Sequence, residues 1–269
     1  MNETAYAKIN LALHVRRRRE DGYHELETLF AFVDDGDRLS ARPAAQDSLT
    51  LSGEFAAAID DPFGNIVAKA LSALPHGPGW TVALDKRLPV AAGLGGGSAD
   101  AGAVFRMVER THGLPGDWRE RAARLGADVP ACVFSRPCIG TGTGTELEEV
   151  AGNDLAGCPV LLVNPRLPVP TGPVFRAWDG IDGGPMPRGT LREIALAGRN
   201  DLEAPAIGLC PVIAEVLAAL RDTAPFLARM SGSGATCFAL YASYEEMQSA
   251  AEKLARDRPE WWQMAGKLR

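Results

Sequence analysis

The sequence has few cysteines, no excess of positive charge and no long apolar run. Its five cysteines are widely separated and none forms a C-x-x-C pair, which argues against a structural zinc site or a redox pair. The formal net charge of −6 argues against binding to nucleic acid or to an anionic membrane, because both need a positive surface. No apolar stretch approaches the length that crosses a bilayer, and Lys8 interrupts the apolar N-terminal region, so no secretory signal is expected. We therefore expect a cytoplasmic protein with reduced thiols.

What is present is the composition of a globular protein, with 46% apolar and 23% charged residues in a chain of 269. Alternating apolar residues predict strands at 5–15, 25–33, 38–41, 49–51, 81–84 and 160–163. Helical spacing predicts helices at 65–74, from Ser98 onward, and at 117–125, 191–197, 212–221 and 245–255. Because strands and helices are mixed without regular βαβ alternation, we predict an α+β fold, divided near residue 150.

A glycine-rich loop is the clearest local signal. Four of the six residues in Gly93–Ser98 are glycines, and the loop opens a predicted helix with Ser98 as its N-cap and Gly113 as its end. Such a loop exposes backbone N–H groups beside the positive end of a helix dipole and can hold a phosphate; a flexible turn is the alternative. A Walker A loop needs Lys followed by Ser or Thr, and Ser98-Ala99 stands there instead, while the dinucleotide fingerprint needs a glycine at Ser98.

Three segments together resemble the GHMP kinases. Pro89–Ser98 is similar to the ATP loop of that superfamily, and Ala7–Leu11 and Ser231–Leu240 are similar to its first and third motifs. The resemblance implies a kinase that uses ATP and Mg²⁺ to phosphorylate a small molecule. It also implies two domains: an ATP-binding one at 1–150, resembling the second domain of ribosomal protein S5, and a GHMP C-terminal domain at 151–269.

Further segments resemble one branch of these kinases, which phosphorylates a substrate with a cytidine diphosphate group in the non-mevalonate isoprenoid pathway. The segments are K-I-N-L from Lys8, D-G-Y-H from Asp21, L-G-A-D-V-P from Leu125, V-P-T from Val169 and N-D-L from Asn200. The chain departs from the branch pattern in two places. It carries only glycines and threonines at 140–144, where relatives often have a glutamate, and Gly172 where some have proline.

The resemblance assigns roles to individual residues. It implies that Asp128 accepts or orients the proton of the reacting hydroxyl, with Lys8 as its cationic partner. The implied ATP-binding residues are Pro89, Val90, Ala91, Ala92, Gly93, Leu94, Gly95, Gly96, Gly97, Ser98 and Ala99. The implied substrate-binding residues are Asn10, Tyr23, His24, Thr171 and Phe175, with Tyr23 and Phe175 stacking on cytosine and His24 at its edge. No residue is assigned to the metal, although Ser98 and Asp128 are the nearest candidates.

The same residues have other interpretations when the resemblance is set aside. Asp128 would be a helix cap before Pro130, Lys8 a surface lysine, Phe175 a core residue and Tyr23 an ordinary turn aromatic. Two functions compete with the one implied above: a GHMP kinase for homoserine or a mevalonate derivative, and a nucleotide-binding relative that has lost catalysis. The oligomeric state is left open by the sequence.

Overall fold

The computed structural model describes residues 1–59 and 65–269. The chain forms two compact units, and each unit consists of several separate segments of the sequence. The first unit contains Met1–Lys8, Asp35–Val90 and Gly95–Arg136. The second contains Ile9–Asp34, Ala91–Leu94 and Pro137–Arg269. Two long paired strands, β1 (Asn2–Arg18) and β2 (His24–Pro43), contribute residues to both.

The first unit places helices beside the second half of β2. Its further elements are β3 (Ser48–Ser52), a 3₁₀ turn (Ala56–Ala58), α1 (Ile66–Ala73), β4 (Trp80–Asp85), α2 (Gly96–His112), α3 (Trp118–Leu125) and α4 (Val129–Phe134). From Arg38 to Pro43, β2 pairs antiparallel with β4, and β3 pairs parallel with β4. Helix α2 is anchored in the core, because most of its residues from Ala99 to Val108 are small or apolar and are buried. The glycine loop therefore leads into a helix that is fixed by the core.

The second unit is built on two sets of strands. Its elements are β5 (Cys138–Thr141), β6 (Glu146–Glu149), β7 (Pro159–Asn164), α5 (Thr171–Ala177), α6 (Leu191–Ala197), α7 (Glu203–Leu209), α8 (Val212–Arg221), β8 (Leu227–Met230), β9 (Cys237–Leu240), α9 (Tyr244–Asp257) and β10 (Trp262–Lys267). The first half of β2 pairs with β5, and β5 pairs with β6. A separate antiparallel sheet has the order β10-β7-β9-β8. Its apolar residues pack in a core that includes Leu161 and Leu217, and the partly buried Phe175 packs against this core.

Most elements predicted from periodicity are present, and α2 ends at Gly113 as expected. The N-cap prediction for that helix was wrong. Helix α2 begins at Gly96, and its N-cap is Gly95, which adopts φ +60° without a side-chain cap. Glycine adopts that conformation at little cost, so the helix start depends on the backbone of Gly95 and not on a capping side chain. Ser98 lies inside the first turn of α2.

Two predicted strands proved to be one. Residues 25–33 and 38–41 both belong to β2, since the intervening D-D-G-D segment stays extended instead of turning. At Gly36 a Cβ would lie 1.9 Å from the carbonyl oxygen of Ala5, so this glycine permits a close approach of backbones. Trp261 and Trp262 lead into β10, and both residues are buried.

In the described part of the chain, no helix combines the length and the apolar character that a membrane span requires.

Candidate functional site

Lys8 and Asp128 form an ion pair in the first unit. The Nζ of Lys8 lies 2.9 Å from Oδ2 of Asp128. The lysine is buried on β1, whereas the aspartate keeps 32% of its side chain exposed. Lys8 is therefore not the surface lysine that its residue type alone would suggest, and it presents a fixed cation beside an accessible carboxylate.

Asp128 stands at the N-cap position of α4, but it does not act as a cap. Its side chain accepts no hydrogen bond from the first turn of the helix, and Pro130 removes one of the donors there. The carboxylate points to Lys8 instead. An accessible aspartate that does not cap its helix and pairs with a buried lysine is typical of a functional site.

The second half of the glycine loop lies against this pair. A Cβ built on Gly95 would be 2.9 Å from Cε of Lys8 and 3.5 Å from Oδ2 of Asp128. The backbone at Gly95 thus approaches the ion pair more closely than any side chain would allow. Since the first N–H groups of a helix have no partner within the helix, the start of α2 directs donors and a positive dipole end to this place.

A second charged group is buried under the same helix start, and sequence reasoning missed it. The Nζ of Lys86 lies 2.5 Å from Oδ2 of Asp37 and 2.8 Å from Oδ2 of Asp100. All three side chains are buried, and a Cβ on Gly96 would lie 3.1 Å from Nζ of Lys86. One signal was available: Asp100 is four residues before Val104, which places its carboxylate on the buried face of α2.

Burial and the neighbouring charges shift the pKa values of Asp100 and Lys86 in this group. Burial, together with repulsion from Asp37, raises the pKa of Asp100 to about 8 in spite of the attraction of Lys86. Burial alone would lower the pKa of Lys86, but the Coulombic attraction of Asp100 and Asp37 outweighs it and raises that pKa. Below about pH 8 the raised pKa favours the protonated form of Asp100.

The first half of the loop, Ala91–Leu94, belongs to the second unit and is held there by the turn between β8 and β9. The Oγ of Ser231 donates to the carbonyl oxygen of Gly93 at 2.8 Å and accepts from the N–H of Asn10 at 3.2 Å. The N–H of Thr236 donates to the carbonyl oxygen of Ala92. A Cβ on Gly93 would lie 2.2 Å from the carbonyl oxygen of Ser231. The S-G-S-G segment is a strand-connecting turn and also a support for the loop.

An aromatic cluster in the second unit contains two of the predicted substrate-binding residues. The ring centroid of His24 lies 4.9 Å from that of Phe175 and 5.8 Å from that of Trp178. Burial and the nearby Arg18 lower the pKa of His24, so its ring is neutral at pH 7. Its Nε2 is buried without a hydrogen-bond partner among the described residues. Trp178 was not anticipated from the sequence.

The other predicted substrate-binding residues lie in the same unit. Tyr23 is 65% exposed in the turn that follows β1. Thr171 begins α5, and its hydroxyl lies 3.0 Å from that of Ser233 in the β8–β9 turn. Asn10 is buried, and its amide donates to the hydroxyl of Thr28 at 2.8 Å. The structure thus groups His24 with Phe175, and Thr171 with the turn that supports the loop.

Comparisons with known proteins agree with these motifs. The sequence model of the GHMP kinases N terminal domain matches residues 65–136, and that of the GHMP kinases C terminal region matches residues 187–259. A 4-diphosphocytidyl-2-C-methyl-D-erythritol kinase of Novosphingobium aromaticivorans is 70% identical over 100% of this chain and 93% of its own. One of Erythrobacter litoralis is 63% identical over 100% and 99%. A crystal structure of 4-(cytidine 5'-diphospho)-2C-methyl-D-erythritol kinase, 36% identical, superposes with a TM-score of 0.83 over 100% of this chain and 99% of its own.

Proposed function

The chain belongs to the GHMP kinases and, within them, to the 4-diphosphocytidyl-2-C-methyl-D-erythritol kinases, and on this premise we propose how its residues perform the reaction. The reaction transfers the γ-phosphate of ATP to the 2-hydroxyl of 4-diphosphocytidyl-2-C-methyl-D-erythritol and yields the 2-phosphate and ADP. It is a step of the methylerythritol phosphate route to isoprenoid precursors. The observation that carries the proposal is the Lys8–Asp128 ion pair against Gly95 at the start of α2.

ATP is bound by the loop Pro89–Ala99. Its glycines let the backbone approach the phosphates, and the start of α2 adds N–H donors and a positive dipole end. Gly95 fits this role because its φ of +60° and its distance to Lys8 leave no room for a side chain. The nucleotide is therefore held mainly by backbone groups, which suits a chain with a net charge of −6.

Asp128 and Lys8 act on the acceptor hydroxyl. Phosphoryl transfer depends mainly on positioning and on electrostatic stabilisation, because little covalent chemistry is left to the protein. Asp128 accepts or orients the hydroxyl proton with its exposed carboxylate edge. Lys8 fixes the direction of that carboxylate and offsets negative charge near the transferred phosphate.

Mg²⁺ accompanies ATP in this proposal. The hydroxyl of Ser98 in the first turn of α2 and the carboxylate of Asp128 are hard oxygen donors of the kind that Mg²⁺ prefers. The ion keeps several waters and needs few protein ligands, so two such groups beside ATP phosphates suit it. When bound, it would neutralise charge on the phosphates.

The acceptor is recognised through its cytidine diphosphate group. We assign the faces of the base to Tyr23 and Phe175 and its edge to His24, whose neutral, unpartnered Nε2 is suited to a hydrogen bond with a ligand. Thr171 and Asn10 are assigned to the remainder of the substrate. The packing of Phe175 against His24 supports this role, because it fixes both rings before the base arrives.

Two broader statements belong to the same proposal. As stretches of sequence, residues 1–150 are assigned to the ATP-binding domain and 151–269 to the C-terminal domain, and the two family matches lie on either side of residue 150. The units of the fold do not follow this division, because Ile9–Asp34, Ala91–Leu94 and residues 137–150 belong to the second unit. The protein works in the cytoplasm, where its five cysteines stay reduced. Thiol titration of the denatured, unreduced protein should count five free thiols, and a native disulfide found by mass spectrometry would contradict this location.

A coupled assay of ADP release tests the function. The purified protein is given ATP and one acceptor at a time: the cytidyl diphosphate substrate, homoserine, mevalonate or galactose. We expect ADP release with the first alone. Release with homoserine or mevalonate would assign the chain to another GHMP activity, and ATP binding without release on any acceptor would indicate a non-catalytic relative.

A further inference from the structure

The glycine loop is flanked by a buried charged group that the proposed reaction leaves without a role. The group consists of Asp37, Lys86 and Asp100 and is called here the buried triad. It lies within the first unit, and its ion pairs join its members to one another and not to Asp128. Buried charges are retained only when they are paired, and they rarely add net stability compared with apolar residues of the same size. Their presence next to a ligand-binding loop therefore calls for a specific reason.

The contacts of the triad fall on both sides of the loop. On the side where the chain enters, Oδ1 of Asp37 accepts hydrogen bonds from the N–H groups of Arg87 at 2.6 Å and Leu88 at 2.8 Å. On the side where the chain leaves, Lys86 lies under Gly96 and binds Asp100 in the second turn of α2. The two carboxylates are joined through the single ammonium of Lys86.

We propose that Asp37 and Lys86 are positioning residues for ATP, which hold the segment after β4 at Leu88 and the helix start at Gly96 at the spacing that the phosphates require, with Asp100 as the buried partner of the Lys86 ammonium. The proposal rests on the assignment of this loop to ATP. Asp37 is the central member, since one of its oxygens fixes the backbone and the other fixes Lys86. The triad touches neither substrate in this scheme and acts only through the loop.

Two isosteric variants, Asp37→Asn and Asp100→Asn, test the proposal, because they differ in which contacts of the triad they keep. In Asp37→Asn the side chain has one acceptor oxygen and one amide group, so it can satisfy the two backbone donors or Lys86 but not both. Asp100 can then ionise and keep the group neutral, which preserves folding. In Asp100→Asn the amide oxygen can still accept from Lys86, and both contacts of Asp37 remain. Asp37→Asn therefore loses either the contact with the backbone before the loop or the contact with Lys86, and Asp100→Asn keeps both contacts.

The experiment measures two quantities at pH 7 in each full-length variant. One is the dissociation constant of a fluorescent ATP analogue, and the other is hydrogen exchange of peptides that cover residues 87–97. We expect Asp37→Asn to exchange faster in these peptides and to bind the analogue about tenfold more weakly, which corresponds to a loop that is correctly arranged about a tenth of the time. The dissociation constant of Asp100→Asn should stay within about twofold of the wild-type value, which is well below the change expected for Asp37→Asn.

A control variant separates positioning from general loss of stability. The side chain of Glu3, which is 8% exposed in the first unit, pairs with Arg106 and Arg110 on α2, well beyond the helix start. Glu3→Gln should lower the melting temperature without changing exchange at 87–97 or ATP binding. If Asp37→Asn does not fold, Lys86→Gln takes its place with the same expectation.

Two results would overturn the proposal: wild-type ATP binding and exchange in a folded Asp37→Asn protein, or an equal loss in Glu3→Gln. If exchange at 87–97 rises while ATP affinity is unchanged in Asp37→Asn, the triad orders the loop but does not position ATP, and the proposal also fails. A wild-type protein that binds no ATP analogue at all would instead refute the function proposed for the loop.

Discussion

At the scale of single residues, the proposed chemical step depends on Lys8 and Asp128, which form an ion pair. We expect Asp128→Asn and Lys8→Ala to lower kcat by about 10²–10⁴, because a positioned proton acceptor contributes a factor of that size. The dissociation constant of ATP should change little, since backbone groups hold the nucleotide. Steady-state kinetics and analogue titration measure the two effects. Glu3→Gln is the control, as it weakens another buried ion pair of the first unit. A kcat within a few-fold of wild type in either variant would refute the assigned roles.

Gly95 can be tested against Gly116, a glycine outside the loop. Gly95→Val should abolish nucleotide binding, because its Cβ would lie 2.9 Å from Cε of Lys8 and φ is +60°. A Cβ on Gly116 meets no described atom within 4 Å, so Gly116→Val should fold and bind nearly as the wild type does. Titration with a fluorescent ATP analogue compares the two, with circular dichroism to verify folding. Unchanged affinity in a folded Gly95→Val protein would mean that the loop is only a turn.

Aromatic stacking on the base is a third prediction at this scale. Phe175→Ala and Tyr23→Ala should raise KM for the cytidyl substrate about 5- to 150-fold, since stacking on a base contributes about 1–3 kcal/mol. KM for ATP should stay constant. Tyr244 on α9 is also an aromatic with about half its surface exposed, so Tyr244→Ala is the matched control. An unchanged acceptor KM in both test variants would exclude the sandwich.

At the scale of elements, α2 contains a buried acid whose titration should be visible in stability. The unfolded chain loses the proton of Asp100 near pH 3.9, whereas the folded protein keeps it to about pH 8. The folded state binds the extra proton over this interval, so the stabilisation is complete below about pH 4 and is lost as pH rises through about 8. The difference in unfolding free energy between wild type and Asp100→Asn should fall by up to about 1 kcal/mol per pH unit over that interval.

Urea unfolding at pH 5, 7 and 9 measures this difference. The change between pH 5 and 7 should be distinct, and the difference should level off above pH 8. A difference that is constant from pH 5 to 7 would show that Asp100 is already ionised in the folded protein, as its partner Lys86 alone would favour.

The sequence predicted the long, strongly periodic elements well, and α1, β4, β7, α8 and α9 lie where their apolar spacing indicated. It failed where tertiary contacts decide the structure. The break predicted between residues 33 and 38 is absent, because Gly36 permits the backbones of β1 and β2 to approach at a spacing that no side chain allows. The short α4 was not among the predicted helices, although the alternative interpretation of Asp128 as a helix cap before Pro130 placed a helix start there, and proline is tolerated in the first turn of a helix.

The candidate site shows the same limit. Lys8, Asp128 and the glycine loop were found because each lies in a recognisable local motif. The triad was missed because Asp37 is 49 residues from Lys86, and Asp100 is 14 residues from it, so no local pattern joins them. Trp178 was missed for a similar reason, since a tryptophan beside a Gly- and Asp-rich segment has no sequence feature that links it to His24.

For the whole molecule, the two units divide the work of the proposed reaction. The first contains the Lys8–Asp128 pair, the start of α2 and the triad, which concern phosphate. The second contains the aromatic cluster, which concerns the base, together with the turn that supports Ala91–Leu94. Residues for phosphate transfer are compatible with many acceptors, so the identity of the substrate depends on the second unit.

Recognition of cytosine is therefore the central claim, and His24 is the residue that tests it. The most direct measurement is kcat/KM for the cytidine substrate and for its uridine analogue, in wild type and in His24→Ala. A mismatched base edge leaves polar groups unpaired, so wild type should prefer cytidine by at least about tenfold. His24→Ala should lose most of that preference while its KM for ATP stays unchanged. A wild-type enzyme that uses both bases equally, or a His24→Ala enzyme with undiminished preference for cytidine, would contradict the account.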